Sequence, residues 1–339
     1  MQGVSNALSL YLFSPPSALS LRRHTLLYIL YTPTRNPGKK VWLDVPAQCQ
    51  TDSAHPTTDC PVVFCFHGFG GNASKYAEQA GPALHEHGMI GIYPQGDAPP
   101  GSTHPGWNDG QGVMDWHGNL QCPWNDTAGP PWCTKDMNDL NFTAEIATAI
   151  ESLGGTGHKF SYGVSNGADH SERIAANSVV AFDALPFMGI AANSGGLMAT
   201  PPRAGPGPWN WNYLNPGRPV AQLAFHGTND TVIPYNGGPK FGNATFVSMS
   251  EPESDKTWAV HNGCSMKMSE TTVPAIIAGG AASTAILHKY EDCPPTAPVG
   301  WYEVVNGHHG AALMLNGKEL IYAAVEFFAM VNHALVRKA

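Results

Sequence analysis

The sequence predicts an α/β protein with a mostly parallel, twisted sheet flanked by helices. The run from Pro61 to Phe66 is continuously apolar, which is typical of a strand buried on both faces of a parallel sheet. Strand-like segments then alternate with helical ones, the order that a parallel sheet requires. Neither an internal repeat nor a linker divides the chain. Residues 25–339 are therefore expected to form one domain, preceded by a leader or disordered segment over residues 1–24.

The individual elements follow from apolar runs and from the Gly and Pro residues between them. Residues 25–32 and 41–45 predict a hairpin, because a Pro- and Gly-rich turn separates them. Further strands are predicted at 61–66, 89–93, 159–162, 185–192, 220–225 and 301–305, with helices at 74–87, at 142–153, directly after residue 165, and at 317–335. Residues 95–135 are rich in Gly, Pro, Trp and Asp and predict a long functional loop.

The composition favours an extracellular enzyme over a nucleic-acid-binding protein. Hydrophobic residues make up 42% of the 339 residues and can fill a sizeable core, whereas charged residues make up only 13%. The formal charge of -8, without a basic stripe, argues against a nucleic-acid partner. No run of 18 apolar residues predicts a membrane span. No signal peptide is clearly readable, but secretion and glycosylation are slightly favoured by five N-x-[ST] sequons, which begin at Asn72, Asn125, Asn141, Asn229 and Asn243.

The seven cysteines lack the paired spacing of a zinc site or a redox dithiol. Disulfides are the preferred interpretation, and seven reduced thiols are the alternative. The expected pairs are Cys122 with Cys133 across the long loop, Cys264 with Cys293, and Cys49 with Cys60. Cys65 then remains as a buried thiol inside an apolar strand.

A nucleophile motif lies at Gly163-Val164-Ser165-Asn166-Gly167, between a predicted strand and a predicted helix. In the α/β-hydrolase fold a serine lies on such a sharp, strained turn, which requires small residues two positions before and after it. Ser165 is therefore the candidate nucleophile, and its partners should follow in the order acid, then histidine.

The candidate acid is Asp230, because residues 184–229 contain no Asp or Glu and Asp230 follows a predicted strand. The loop after the last strand contains two adjacent histidines between glycines, and one of them is the candidate base. His308 is preferred because it follows the glycine as the base does in related sequences, and His309 is the alternative. The base would accept the Ser165 proton, and Asp230 would orient the imidazole.

An oxyanion hole is predicted from the backbone N–H groups of Asn166 and Phe69, the latter in the loop after the strand at 61–66. No cofactor and no metal are expected. Asp136 and Asp139 are expected to brace and cap the helix at 142–153 rather than bind a metal.

These motifs jointly resemble the polyhydroxybutyrate depolymerase and feruloyl esterase group of α/β-hydrolases, known as esterase family one, over about residues 25–335. The matching segments are residues 67–68, 93–96, 107–108, 138–142, 163–167, 226–230 and 234–235. The Cys264 and Cys293 pair also resembles a disulfide of that group. Two departures are His309-Gly310-Ala311, where relatives have an aromatic residue, Pro and Gly, and Asp169-His170, where apolar residues are common.

The resemblance implies a secreted carboxylic-ester hydrolase that acts through an acyl-serine intermediate. Its small-molecule or polymeric substrates would be hydroxyalkanoate oligomers, or hydroxycinnamoyl and acyl esters of polysaccharide. A serine peptidase of the prolyl-oligopeptidase type is one alternative, since it shares the fold and the order of the triad. A non-catalytic carbohydrate-binding protein is another, since nine tryptophans could stack on sugar rings.

Overall fold

The computed structural model describes most of the chain outside the long loop and the N-terminal region. The described residues are 10–12, 27–31, 40–50, 60–98, 103–107, 113–114, 120–122, 139–155, 157–176, 187–197, 216–240 and 243–338.

Five helices and seventeen strands lie in this part of the chain. The helices are α1 (Ala73–Glu86), α2 (Asp139–Ser152), α3 (Asn166–Ala176), α4 (Glu251–Asn262) and α5 (Leu320–Lys338). The strands are β1 (Leu10–Leu12), β2 (Leu27–Tyr31), β3 (Lys40–Asp44), β4 (Val62–Phe66), β5 (Ile90–Pro94), β6 (Val113–Met114), β7 (Leu120–Cys122), β8 (Lys159–Val164), β9 (Phe187–Asn193), β10 (Ala221–Gly227), β11 (Gly238–Lys240), β12 (Asn243–Ser248), β13 (Met268–Ile276), β14 (Ala282–Tyr290), β15 (Val299–Val304), β16 (Met314–Leu315) and β17 (Lys318–Glu319).

Thirteen of these described strands form one sheet, in the order β1-β2-β3-β5-β4-β8-β9-β10-β15-β14-β13-β16-β17. The six central strands, from β5 to β15, run parallel to one another. Antiparallel strands extend the sheet on both sides, including the hairpin predicted at 25–45. The predicted α/β class with a mostly parallel sheet is therefore confirmed, and every predicted strand is found within a few residues of its expected position.

Helices cover both faces of the sheet because the buried strands alternate their side chains. In β4, Val63 and Cys65 face the apolar cluster that includes α1 and α5, whereas Val62, Phe64 and Phe66 face the cluster that includes α2. Helices α3 and α4 pack on the same side as α2, around Trp258. The carboxyl ends of the central strands are thereby left open at one edge, where loops with functional residues converge.

The longest described elements that the sequence analysis did not predict are helix α4 and the β13–β14 hairpin. Helix α4 has a low apolar periodicity because it buries polar residues, among them Glu251 and Asp255. The long β13–β14 hairpin is mostly exposed on β13, so it lacks the apolar run of a central strand. Its turn contains Gly279 and Gly280, both with positive φ.

The structure contains two of the three expected disulfides, Cys49–Cys60 and Cys264–Cys293, and leaves Cys65 as a buried thiol. Burial raises the pKa of Cys65 far above its ordinary value, so this thiol stays protonated and unreactive. The expected Cys122–Cys133 pair is not tested, because Cys133 lies outside the described residues, as does most of the loop at 95–135.

One described helix, α5, is long and apolar enough to cross a membrane, and a third of its apolar window is buried. Its buried residues recur with helical spacing and pack on the sheet: Leu320, Ile321, Ala324, Val325, Phe328 and Val331. Such a pattern is typical of a core helix, and the expectation that the chain has no membrane span stays a prediction.

Candidate active site

Ser165 lies at the sharp turn between β8 and α3 and has the strained backbone conformation expected for its motif. Its φ is 55°, in the left-handed region that residues other than glycine rarely adopt. A Cβ atom on Gly163 would lie 2.0 Å from the carbonyl oxygen of Gly167, and one on Gly167 would lie 2.3 Å from that of Phe66. Only glycine fits at either position, so the turn is fixed by packing as well as by hydrogen bonds.

Three side chains from distant segments meet at this turn. His309 Nε2 lies 2.8 Å from Ser165 Oγ, and His309 Nδ1 lies 2.8 Å from Asp230 Oδ2. The half-buried imidazole of His309 thus lies between the half-buried Ser165 and the buried carboxylate of Asp230. This arrangement can pass a proton from the serine to the histidine while the carboxylate stabilises the imidazolium that forms.

The structure brings His309 to Ser165, not His308, which corrects the preference stated from the sequence. The side chain of His308 is exposed, and its Nδ1 lies 3.4 Å from Asn229 Nδ2. The loop is held on both sides of the pair, because Asn229 N–H donates to Gly307 O and Gly310 N–H donates to Ser194 Oγ. Glycines flank the pair of histidines on both sides, so the sequence could not show which of the two imidazoles contacts Ser165.

Asp230 is held as a carboxylate by several donors. Its Oδ1 accepts the backbone N–H groups of Val232 at 2.8 Å and Ile233 at 2.9 Å. Burial by itself would raise the pKa of Asp230, but hydrogen bonds from His226 and His309 hold it well below its ordinary value. Asp230 is therefore ionised throughout the neutral range.

The two predicted oxyanion donors belong to segments next to Ser165. Asn166 begins α3 directly after the serine, so its N–H is at a helix N-terminus. The loop with Phe69 passes close by, since a Cβ atom on Gly68 would lie 3.4 Å from Ser165 Cβ. The role of these two N–H groups as oxyanion donors stays a prediction.

A neutral histidine supports this loop. His67 Nδ1 lies 2.8 Å from Gly68 O, and its Nε2 accepts the N–H of Gly96 at 3.0 Å. Burial lowers the pKa of His67, which agrees with a neutral ring that donates from one nitrogen and accepts at the other. Gln95 Nε2 also lies 3.0 Å from this Nε2. His67 and Gln95 both occur in the motifs noted above, but the sequence did not show that they contact each other.

The side chain of Asn166 fixes the start of the long loop. Its Oδ1 accepts the backbone N–H of Trp107 at 2.6 Å, and its Nδ2 donates to the carbonyl of Trp107 at 3.0 Å. Trp107 in turn donates from its indole Nε1 to His67 O at 2.8 Å. Beside this clamp the rings of Phe69 and His104 stack, with centroids 5.9 Å apart, and form an aromatic wall near the serine.

A buried ion pair lies on the other side of the turn. Lys240 Nζ contacts Asp169 Oδ2 at 2.6 Å, and the N–H of Gly196 donates to Asp169 Oδ1. Burial raises the pKa of Asp169, and the ammonium of Lys240 opposes that rise. The sequence indicated a polar residue at 169 but gave no signal for its partner, 71 residues away.

Comparisons with known proteins agree with the fold. No protein-family model matches the chain. Feruloyl esterase C of Emericella nidulans is 27% identical over 199 residues, which are 58% of this chain and 60% of that protein, so the match spans less than two thirds of the relative's length. The solved structure of acetyl xylan esterase from Aspergillus awamori superposes with a TM-score of 0.53 at 14% identity, over 90% of this chain and 99% of that one. The chain has the α/β-hydrolase fold and is similar to esterases with that fold.

Proposed function

We propose that this chain is a carboxylic-ester hydrolase in which Ser165, His309 and Asp230 form the catalytic triad. The observation that carries the proposal is the position of the His309 ring, within 2.8 Å of both the serine hydroxyl and the buried carboxylate. The strained, glycine-bounded turn at Ser165 supports it, because such strain is found where a nucleophile must be exposed. Similarity to a feruloyl esterase supports ester chemistry over peptide chemistry.

The reaction would proceed in two halves. Ser165 Oγ attacks the ester carbonyl carbon while its proton passes to His309 Nε2, and the resulting oxyanion is stabilised by the N–H groups of Asn166 and Phe69. The tetrahedral intermediate then expels the alcohol, which takes the proton from His309 and leaves an acyl-Ser165 ester. Water attacks this ester with His309 as the base, and the acid and free serine are released.

The proposed substrates are feruloyl or acetyl esters of polysaccharide. Support comes from the feruloyl esterase relative, and the stacked rings of Phe69 and His104 offer a surface for an aromatic acyl group. Secretion is proposed as well, because the Cys49–Cys60 and Cys264–Cys293 disulfides require an oxidising compartment.

The nucleophile and the base can be tested together. A fluorophosphonate probe should label the wild type and should not label Ser165→Ala. The adjacent histidines provide a matched pair: His309→Ala should lower kcat on p-nitrophenyl butyrate by about 10⁴-fold or more, whereas His308→Ala should leave kcat near the wild-type value. An unlabelled wild-type protein would contradict the esterase proposal, and a greater loss in His308→Ala would show that the base is misassigned.

Substrate class requires a separate panel. Initial rates on methyl ferulate, acetylated xylan, hydroxybutyrate oligomers and a peptide p-nitroanilide would separate the polysaccharide esterase from the depolymerase and the peptidase. Turnover is expected on the first two. Turnover of the anilide alone would favour the peptidase, and polysaccharide binding without turnover of any substrate would favour a binding protein.

A further inference from the structure

Behind Asp230, on the side away from His309, lies a second buried histidine. His226 is the last residue but one of strand β10. Its Nε2 lies 2.8 Å from the carbonyl oxygen of Ile233 and 3.5 Å from Asp230 Oδ2. Its Nδ1 lies 2.5 Å from Glu251 Oε2. Asp230 Oδ2 is the oxygen that also contacts His309, so this one atom lies between two imidazoles.

All of these partners of His226 are acceptors. An imidazole donates from both nitrogens only when it is positively charged. Glu251 is the first residue of α4, and its Oε2 contacts the Nδ1 of His226. Burial alone would lower the pKa of His226, but hydrogen bonds to Asp230 and Glu251 outweigh it and raise the pKa to about 10. His226 is therefore an imidazolium between two carboxylates.

Two more carboxyl groups lie nearby, and burial raises the pKa of each. Glu172 projects from α3 and accepts a hydrogen bond from Trp258 Nε1 at 2.6 Å, and its burial raises its pKa to about 8. Asp255 lies one helical turn after Glu251 on α4, and burial followed by repulsion from Glu251 raises its pKa well above the ordinary value. The carboxylates that contact His226 are those of Asp230 and Glu251.

The remaining titratable neighbours of His226 come from the strand and loop beside it. Tyr235 packs with its edge against the His226 ring at a centroid distance of 5.6 Å, and burial raises its pKa, so it is neutral. The hydroxyl of Tyr235 donates to Glu303 on β15, which in turn contacts His288. Tyr235 therefore separates His226 from this second carboxylate–histidine pair, Glu303 and His288.

We propose that His226, held by Glu251, is a positioning residue of the triad: it keeps Asp230 ionised and turned toward His309 and tunes the protonation of His309 through that shared oxygen. This proposal rests on the proposed triad. Five groups then lie in a row: Ser165, His309, Asp230, His226 and Glu251. At the buried end of this row, the negative charge of Asp230 is followed by the positive charge of His226 and the negative charge of Glu251. No residue of the row beyond His309 touches the substrate.

The charge of His226 has a measurable consequence for the pH dependence. When His309 accepts the serine proton, it becomes a cation on the other side of Asp230 Oδ2 from the His226 cation, and the two repel. Removing the charge of His226 should therefore raise the apparent pKa of the acid limb of kcat/KM, by roughly one to two pH units at an effective dielectric constant near 20.

The test uses two variants that remove this charge by replacing the imidazole. His226→Gln keeps a side-chain N–H donor beside Asp230, and His226→Leu keeps none. Both should shift the acid limb of kcat/KM for p-nitrophenyl butyrate toward higher pH and lower kcat with little change in KM. His288→Gln is the matched control, because His288 is also paired with two carboxylates, Glu270 and Glu303, outside the triad. Its acid limb should stay at the wild-type position.

A merely structural role would lower the melting temperature and activity without moving the acid limb, and that result in both variants would overturn the proposal. If neither variant folds, nitrogen NMR of the wild-type imidazoles decides: His226 should have both ring nitrogens protonated at pH 7, and a neutral ring would refute the proposal. This spectrum is independent of catalysis. A wild type that neither labels with fluorophosphonate nor hydrolyses esters would instead overturn the proposed function.

Discussion

Replacing Glu172 with Gln should make the protein more stable than the wild type at alkaline pH. The Glu172 carboxyl is fully buried beside Glu251 and Asp255, and its Oε2 accepts the indole N–H of Trp258. A glutamine keeps the shape and the accepting oxygen and cannot ionise. The variant therefore removes one buried titratable group and keeps the hydrogen bond from Trp258.

The magnitude follows from the change in pKa on folding. Burial, with a smaller contribution from Glu251, raises the pKa of Glu172 from 4.5 to about 8. Between these values the unfolded chain releases a proton that the folded protein retains, so the free energy of unfolding falls as pH rises. The loss is ~1.4 kcal/mol per pH unit and roughly 5 kcal/mol over the whole window, as an upper limit. Below pH 4.5 the carboxyl is protonated in both states and the effect vanishes.

Equilibrium unfolding in urea at pH 5, 6, 7 and 8, with the disulfides oxidised, measures this difference. The stability of Glu172→Gln relative to wild type should increase steadily across the series. The stability that His226 contributes is also lost as pH rises from 6.5 to about 10. This loss is common to both proteins and cancels in the difference. Glu253→Gln, at an exposed position on α4, is the control and should follow the wild type. Parallel curves for wild type and Glu172→Gln would refute the assignment of a buried, protonated Glu172.

Three further substitutions probe the surroundings of the serine. Lys240→Met should lower the free energy of unfolding by roughly 3–5 kcal/mol, because it leaves Asp169 buried without its cation, and a double variant that also has Asp169→Asn should recover part of the loss in the same urea assay. Asn166→Ala should keep the melting temperature close to wild type, because the indole of Trp107 still donates to His67 O, but it should lower kcat by about 10–100-fold, since the backbone of Trp107 loses both hydrogen bonds to the Asn166 side chain. Gly167→Ala should yield little soluble protein, because its Cβ atom would lie 2.3 Å from a backbone oxygen; a folded, active variant would show that the turn can relax.

The central part of the fold could be predicted because its signals are local. The apolar run of β4 indicates a buried strand. The glycines around Ser165 indicate a tight turn at that residue. The position of Asp230 was also predictable, since no other carboxylate precedes it over a long stretch. These features depend on residues close together in sequence.

The choice between His308 and His309 could not be made in this way. Both are flanked by glycine, and the side that each presents depends on hydrogen bonds to Ser194 and Asn229, which come from other strands. The same holds for the clamp of Asn166 on Trp107, whose partners are 59 residues apart. Long-range polar contacts of this kind leave no periodic pattern in the sequence.

Helix α3 shows why these polar contacts matter for the site. Nearly every residue of α3 is buried, yet it includes Asp169 and Glu172, whose partners Lys240 and Trp258 lie on β11 and α4. A helix fixed by directed polar bonds has fewer alternative positions than one packed by apolar contact alone, because each bond is lost if the helix slides or rotates. The helix N-terminus supplies the backbone around Ser165. The orientation of the nucleophile is therefore set by segments that contribute no side chain to the triad.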